Sequence, residues 1–461
     1  MIYSNLFDGA QSDKTVRAAV IGTGKYATAV VTQSVSMPRL TVPVVADINV
    51  GAAQQACAEA GFLAEDVVVC ESHQAALQAM ELGKQVVVSD PLLLMDLPID
   101  VIVEATGVTE AGAHYGLEAI QHGKHVVMVN KETDVTVGPI LKHLADQNNV
   151  VYTAADGDQH GLLMGLVSWA RELGLEVLCG GKAGDSGIEY DGGTQAVSHR
   201  GRELSLSKGD ASAFEPIGEG QGARVVAERE TALRNVRLLR RDDVMELTIA
   251  ANATGLSPDV ETLRGPVVRT IEIPEVLCPV EEGGMLQTRG AIEMAFCLRD
   301  PNSPGMGGGV FIVVACENDY SRSILFGKGL VPNHKQSVGL IYRPYHMCGV
   351  ETPISILCAG LLNVPTGTNG FVPRFDLVAQ AERDLKAGET IGDTNDSETL
   401  KSLMHPARPV GNGVALPMQM IEGNTLSVDV AKGNIITVDM VAEPDASVLW
   451  SLRRQQDAQF F

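Results

Sequence analysis

Six short segments of this 461-residue chain place charged or polar side chains where they could do chemistry. Four of them follow apolar runs. Gly22-Thr23-Gly24-Lys25-Tyr26-Ala27 follows RAAVI, and Ala105-Thr106-Gly107 follows VIVE. Asn130-Lys131-Glu132 follows HVVMV, and Asp156-Gly157-Asp158-Gln159-His160 follows VVYTAA. Each residue type suggests a chemistry. Glycine lets a backbone approach a ligand closely. A placed lysine polarises a carbonyl oxygen or hands on a proton. Two carboxylates two residues apart, Asp156 and Asp158, accept hydroxyl hydrogen bonds or ligate a hard divalent cation such as Mg²⁺ or Mn²⁺. The fifth segment is Gly180-Gly181-Lys182-Ala183-Gly184-Asp185, where glycines flank a lysine and suit an anionic group. The sixth is Tyr342-Arg343-Pro344-Tyr345-His346, with Glu351 beyond it. Arg343 can fork onto a carboxylate or phosphate, and His346 can shuttle protons. The plainer alternatives are glycine turns, exposed lysines, a helix cap at Asp156–Asp158 and a structural histidine.

The first segment is the most informative. GxGxxA lies between a predicted strand and a predicted helix, and Asp47 stands 23 residues beyond Gly24 at the end of the next strand. Gly22 permits the turn, Gly24 admits a pyrophosphate, Ala27 keeps strand and helix close, and the helix start offers N–H groups to phosphate. This is a dinucleotide-binding pattern. Asp47 on the ribose hydroxyls favours NAD, while Lys25 suits the 2′-phosphate of NADP, so both cofactors stay open. Ala105, Thr106 and Gly107 then fall beside the nicotinamide ribose, because ligands sit outside the carboxyl ends of parallel strands. Asn130 would orient substrate or cofactor, and Lys131 would act on the reacting oxygen.

The elements that must hold these residues follow from periodicity. Strands are expected over 17–21, 40–46, 67–70, 101–104, 124–129 and 150–154. Helices are expected from the Gly24 turn to 36 and over 51–60, 72–81, 109–122 and 138–147. Such alternation predicts βαβ units and a parallel sheet, an α/β Rossmann-type domain over 1–160. Beyond it a helix is expected over 162–173. Residues 180–222 are Gly-, Asp- and Ser-rich with weak periodicity, a helix is expected over 237–253, and strands with Gly-rich turns over 266–320. This is read as an α+β catalytic, substrate and oligomerisation domain over 161–375, whose stretch 340–375 is expected to pack back on the first domain. A helix over 378–385 and short strands broken at Gly423 and Gly433 then predict a small β-rich domain over 376–461.

Composition narrows the function classes. Thirty-five basic and 57 acidic residues give a net charge of −22. That disfavours nucleic acid and anionic membrane surfaces as partners. A hydrophobic fraction of 45% and a charged fraction of 20% are those of a globular chain. No apolar stretch is long enough to span a membrane. The eight cysteines form no CxxC pair, so free thiols in a reducing cytoplasm are expected rather than a zinc site. The first residues lack the basic and apolar regions of a secretory signal.

Residues 15–160 resemble the nucleotide-binding domain of homoserine dehydrogenases through VIGTGKYA, VVAD, VIVEATG and VVMVNKE; that resemblance makes Lys131 the counterpart of a catalytic lysine. Nearly the whole chain resembles the DXR-like (DRL) proteins through NKETDVTVGPIL, ADGDQ, NATGLSPD and YRPYHMCGVETPIS. Its C-terminal stretch, AERDLKAGETIGD and LPMQMIEGNTLSVDVAKGNIITVDMV, is similar to SAF (β-clip) domains. The resemblance implies reduction and rearrangement of 1-deoxy-D-xylulose 5-phosphate to 2-C-methyl-D-erythritol 4-phosphate with NADPH and a divalent cation. The expectation is an NAD(P)-dependent oxidoreductase acting on a small polyhydroxy carbonyl or sugar phosphate. Lys131, Asp158 and Lys182 would be catalytic; Asp156, Arg343, His346 and Glu351 would bind substrate; Asp156 and Asp158 would hold the metal. A homodimer or homotetramer is expected. The alternatives are a simple alcohol dehydrogenase of the homoserine dehydrogenase kind and a non-enzymatic dinucleotide-binding sensor.

Overall fold

A computed structural model of the protein describes residues 2–11, 14–236, 238, 241–392 and 398–461. The helix expected over 237–253 is seen as Arg241–Thr254; positions 237, 239 and 240 lie outside the described residues. The chain divides into two compact units. The first comprises 1–161, 347–401 and 406–461, and the second 162–346 and 402–405.

The first unit is built on seven parallel strands: β1 (Val16–Ile21), β2 (Leu40–Ala46), β3 (Val67–Val69), β4 (Gln85–Val88), β5 (Val101–Glu104), β6 (His125–Met128) and β7 (Tyr152–Ala154). Their order is β3-β4-β2-β1-β5-β6-β7. The expected Rossmann-type arrangement is present, and the strand order reverses between β1 and β5, where ligands bind in such sheets. β4, β5 and β7 are buried along their length, as parallel strands covered on both faces must be. Of these, β4 has only three apolar residues after Gln85, a run too short for periodicity alone to single out.

Helix Lys131–Gln147 starts seven residues before the expected position 138. Its polar opening, KETD, reads as loop by hydropathy. Asn130 nevertheless caps it, and Glu132 and Asp134 favour the positive end of the helix dipole. The run 353–362 is a helix, Pro353–Leu357, continued by a π-helical turn, Cys358–Leu362. Its Ile356, Leu357, Ala359 and Leu361 share one apolar core with Val16, Val20, Val31 and Val103. Helix Ile2–Gln11 adds Phe7 to that core.

Residues 376–401 and 406–461 group with the first unit. The helix expected over 378–385 is absent: Phe375–Ala381 is a strand, buried at five of its seven positions, and Val378 and Gln380 bridge to Pro417 and Ile435. Burial and pairing there override the mild helical propensity of the sequence. The chain ends in helix Val448–Phe460. Its start is held by Glu110, whose carboxylate accepts from the Val448 N–H at 2.6 Å and the Ser447 hydroxyl at 2.5 Å. Within it Arg453, fully buried, donates two parallel bonds to Asp376 (2.6 and 2.8 Å) and one to Asp457 (2.9 Å).

The second unit carries a mixed sheet. Its strands are β8 (Val177–Ala183), β9 (Ile188–Asp191), β10 (Ala196–His199), β11 (Arg202–Ser205), β12 (Ser257–Pro258), β13 (Val267–Val268), β14 (Ala291–Arg299), β15 (Val310–Ala315), β16 (Val331–Pro332) and β17 (Val338–Arg343). The main order is β11-β10-β9-β14-β8-β15-β17-β16, with β12 and β13 pairing to β14. β8 is buried at every position. Gly180 and Gly181 are therefore not a turn. A Cβ at Gly181 would collide with the Glu293 carbonyl oxygen and stand 2.6 Å from the Phe311 ring, so close packing inside the sheet selects glycine.

Replacing Arg453 with Met should lower unfolding free energy by about 3–5 kcal/mol, because Asp376 and Asp457 would stay buried without their cation. Urea denaturation measures this; a loss below about 1 kcal/mol would show that the ion triad is not what holds the terminal helix.

Candidate dinucleotide and catalytic site

β1 runs into the Gly22–Gly24 turn and then into helix Lys25–Ser34. Gly22 has φ +87°, and a Cβ there would lie 2.7 Å from the Ala105 carbonyl oxygen. Both facts demand glycine. Gly24 is different: its φ is −65°, and a Cβ there would meet nothing within 4 Å. The fold does not require glycine at 24; a molecule lying over the turn would. No side chain caps this helix start, so its first N–H groups suit an anion. Asp47 braces the turn from the end of β2, its Oδ2 accepting from the Thr23 N–H at 2.8 Å and the Thr23 hydroxyl at 2.6 Å. Ala27 is buried under the helix; Gly24 and Lys25 are exposed. These features fit a dinucleotide.

Beside this turn, Glu104 ends β5 with no solvent exposure. Its Oε1 accepts from the Thr106 N–H at 3.1 Å, while Oε2 has no hydrogen-bond donor. Burial pushes its carboxyl up to about 7, against the opposing hydrogen bonds from Thr106 and Asn130. Gly107 follows at φ +68°. Asn130, only 2% exposed, spends its side chain inside the protein. Its Nδ2 donates to the Thr106 hydroxyl at 3.1 Å and the Val108 carbonyl at 3.0 Å, and its Oδ1 accepts from the Thr133 N–H. Asn130 thereby shapes the Thr106 loop and caps the helix.

Lys131 opens that helix. Its Nζ lies 3.7 Å from Asp158 Oδ2, with about a quarter of the lysine side chain exposed and the carboxylate buried. Asp158 Oδ1 also accepts from the Gln159 N–H. Asp156 is fixed through its backbone. Its carbonyl accepts from the hydroxyls of Thr352 (2.8 Å) and Tyr26 (3.2 Å), and its N–H donates to Ser355 Oγ (2.8 Å). Gly157, at φ +95°, has Glu351 Cβ and the Met347 carbonyl within 3.2 Å of where a Cβ would stand. Lys131, Asp156, Asp158, Tyr26 and Glu351 thus belong to one neighbourhood. Burial, reinforced by Asp158, holds the Tyr26 phenol well above its ordinary pKa. Among the described residues no three His, Cys, Asp or Glu side chains gather as a metal site.

The remaining expected residues lie in the second unit. Lys182 sits within β8, 2% exposed, with Nζ 2.5 Å from Glu246 and 2.9 Å from Asp243. Burial alone would lower its pKa, but the two carboxylates outweigh it and hold the ammonium firmly charged. The lysine expected among glycines that suit an anionic group thus stands in an ion cluster inside a sheet, which leaves it a poor proton donor. His346 Nδ1 is 2.5 Å from the Gly308 carbonyl, and Arg343 lies over the Tyr345 ring at 5.6 Å.

Sequence reasoning missed Thr352 and Ser355, and marked Glu104 only as the residue that opens the Ala105–Gly107 segment, with no role of its own. Thr352 carried a usable signal, a threonine directly before a helix-starting proline. The first unit also holds a cavity of about 740 Å³ lined by Arg17, Met37, Phe62, Leu77 and Lys84. It opens at the amino ends of the strands, away from the Gly22 turn, and contains none of the residues above.

Residues 45–153 match the family model "Homoserine dehydrogenase, NAD binding domain", and residues 242–352 match "Oxidoreductase DRL, catalytic domain". No curated protein sequence matches the chain. Solved structures similar to part of it include a levoglucosan dehydrogenase complexed with NADH and L-sorbose: 19% identity, TM-score 0.28, covering 37% of this chain and 44% of that one. A second is a DOX-P reductoisomerase with fosmidomycin and magnesium: 15% identity, TM-score 0.31, covering 52% and 58%. A third is the myo-inositol dehydrogenase of Lactobacillus casei with NAD(H) and myo-inositol: 17% identity, TM-score 0.26, covering 38% and 47%. The chain spans only about half the length of these structures.

Two expectations test the geometry. Gly22→Ala should cost about 1–3 kcal/mol of stability through strain at positive φ. Gly24→Ala should leave stability within about 0.5 kcal/mol yet weaken dinucleotide binding, read by nicotinamide fluorescence; equal stability losses at both positions would contradict this division of roles. Glu104 should also tie stability to pH. A carboxyl raised to about 7 binds its proton in the folded state between about 4.5 and 7, so its stabilising contribution is present at low pH and is lost as pH rises through 7. Glu104→Gln should therefore become more stable relative to the parent protein from pH 5 to pH 8, and a pH-independent difference would contradict the assignment. Two stretches of the chain are thus similar to known families, one to the NAD-binding domain of homoserine dehydrogenase and the other to the catalytic domain of oxidoreductase DRL.

Proposed function

We propose that this protein is an NAD(P)-dependent oxidoreductase that transfers hydride to or from a small polyhydroxy carbonyl compound or sugar phosphate. The observation that carries the reading is the glycine pair: Gly22 is demanded by the fold, whereas Gly24 is left open above an uncapped helix start. Gly22, Thr23, Gly24, Lys25, Tyr26 and Ala27 would hold the pyrophosphate side of the cofactor, and Ala105, Thr106 and Gly107 the nicotinamide side. Asp47 would meet the adenine ribose. When bound, the nicotinamide supplies or accepts the hydride.

The chain's own residues do the rest. Lys131 places positive charge at the carboxyl end of β6, where it can stabilise developing oxyanion charge and pass a proton. Asp158 at 3.7 Å keeps the ammonium directed and can accept a proton relayed from it. Asp156, whose backbone is fixed by Thr352, Tyr26 and Ser355, offers its carboxylate to substrate hydroxyls. Glu351 lines the same neighbourhood. Arg343 and His346 remain candidates for an anionic substrate group. A rearranging reductoisomerase is the second reading, favoured by the DRL catalytic-domain match. Asp156 and Asp158 are the carboxylates it would use for Mg²⁺ or Mn²⁺.

Lys131→Met should fold normally, keep dinucleotide affinity and lower kcat by about 10²-fold or more; full turnover would remove Lys131 from the chemistry. Asp47→Ser should shift the kcat/KM ratio towards NADPH by about ten-fold, since a carboxylate no longer opposes the 2′-phosphate. An unchanged ratio would place the adenine ribose elsewhere. Assaying a panel of polyols and sugar phosphates with and without EDTA separates simple hydride transfer, indifferent to the chelator, from metal-assisted rearrangement.

A further inference from the structure

Helix Lys131–Gln147 carries a proline in its interior. Pro139 has no N–H to give the Val135 carbonyl, and its ring crowds that oxygen, so one hydrogen bond of this continuous helix is lost about two turns after Lys131. Thr136, whose hydroxyl donates back to the Glu132 carbonyl at 2.8 Å, is a second bending feature in the same stretch. The pair that normally bonds across this point is the Ile140 N–H and the Thr136 carbonyl.

A side chain from more than 300 residues away occupies that pair. Gln456, 1% exposed on the terminal helix Val448–Phe460, accepts from the Ile140 N–H through Oε1 at 3.2 Å. Its Nε2 donates to the Thr136 carbonyl at 3.1 Å. The primary amide supplies one acceptor and one donor to the two backbone groups of a single helical hydrogen bond. The terminal helix is itself fixed, at its start by Glu110 and in its middle by Arg453 with Asp376 and Asp457.

We propose that Gln456 is a positioning residue for Lys131: its amide clasps the Ile140 N–H and the Thr136 carbonyl beside Pro139 and sets the direction of the first helical turns, which carry Lys131 towards Asp158. The idea rests on the role given to Lys131 above. Gln456 touches neither cofactor nor substrate. It acts through the helix, so its contribution depends on Pro139 being there.

That dependence is the test. The full chain is compared as Gln456→Met, Pro139→Ala and the double variant by three measurements. These are amide exchange at Ile140, the acylation rate of Lys131 relative to Lys84 by an amine-reactive ester, and dinucleotide-dependent turnover. Gln456→Met should speed exchange at Ile140 by about ten-fold and change the Lys131 to Lys84 labelling ratio by about three-fold or more. It should lower kcat by about ten-fold with the KM for dinucleotide unchanged. Where Pro139→Ala returns the missing N–H, the same Gln456 change should alter each reading less than about two-fold. Equal effects in both backgrounds, or faster exchange without altered Lys131 labelling, would overturn the proposal. If Gln456→Met fails to fold, Gln456→Glu serves in its place, because it keeps the acceptor and turns a second acceptor towards the Thr136 carbonyl. An absence of any turnover in the parent protein would defeat the oxidoreductase reading, while the labelling ratio would still decide whether Gln456 positions Lys131.

Discussion

At the centre of the first unit two backbones approach so closely that no side chain fits between them. Gly22 leaves β1 against the Ala105 carbonyl and the Thr106 Cα. β1 and β5 are neighbours in the sheet, and the strand order reverses between them. The approach fixes two loops at once. One is braced from β2 by Asp47; the other is braced by Glu104 and Asn130. Asn130 also caps the helix that begins with Lys131, so the geometry of the glycine contact extends through three hydrogen-bonded residues to the catalytic candidate.

The site concentrates local conflicts that the surrounding structure resolves. Glu104 is a carboxyl group without water, stabilised in its neutral form by burial. Gly157 sits at positive φ under the segment 347–352. The lysine-bearing helix contains a proline. The buried carboxyl and the helix-interior proline would each be unfavourable in isolation, and each has a specific neighbour: the Thr106 N–H for Glu104, and Gln456 beside Pro139. In the second unit the ion cluster of Lys182, Asp243 and Glu246 is a different solution, in which two acids keep a buried cation charged.

Much of the first unit was legible in the sequence because its signals are local. Buried strands are short apolar runs, and a glycine pair between a strand and a helix at GxGxxA spacing serves few purposes besides phosphate binding. Asp47, Lys131 and the Asp156–Asp158 turn could be picked out because they end such runs. The failures have physical causes. Gly180 and Gly181 resemble a turn, but what selects them is the pressure of the Leu256 and Phe311 side chains against β8. Phe375–Ala381 has the composition of a helix and becomes a strand through its partners. The partners of Asp156, Thr352 and Ser355, lie about 200 residues away, and Gln456 reaches Ile140 across 316 positions. Nothing in the neighbourhood of a glutamine announces such a bond, although Pro139 announces that the helix needs one.

The central claim is that the Gly22–Gly24 turn with Asp47 holds a dinucleotide over Lys131. The most direct measurement is a crystal structure of the protein soaked with NADH or NADPH. The account places the pyrophosphate against the N–H groups at the start of helix Lys25–Ser34, the adenine ribose beside Asp47, and the nicotinamide towards Thr106. A well-ordered dinucleotide bound elsewhere, for example in the cavity between Arg17 and Phe62 at the other end of the strands, would contradict it.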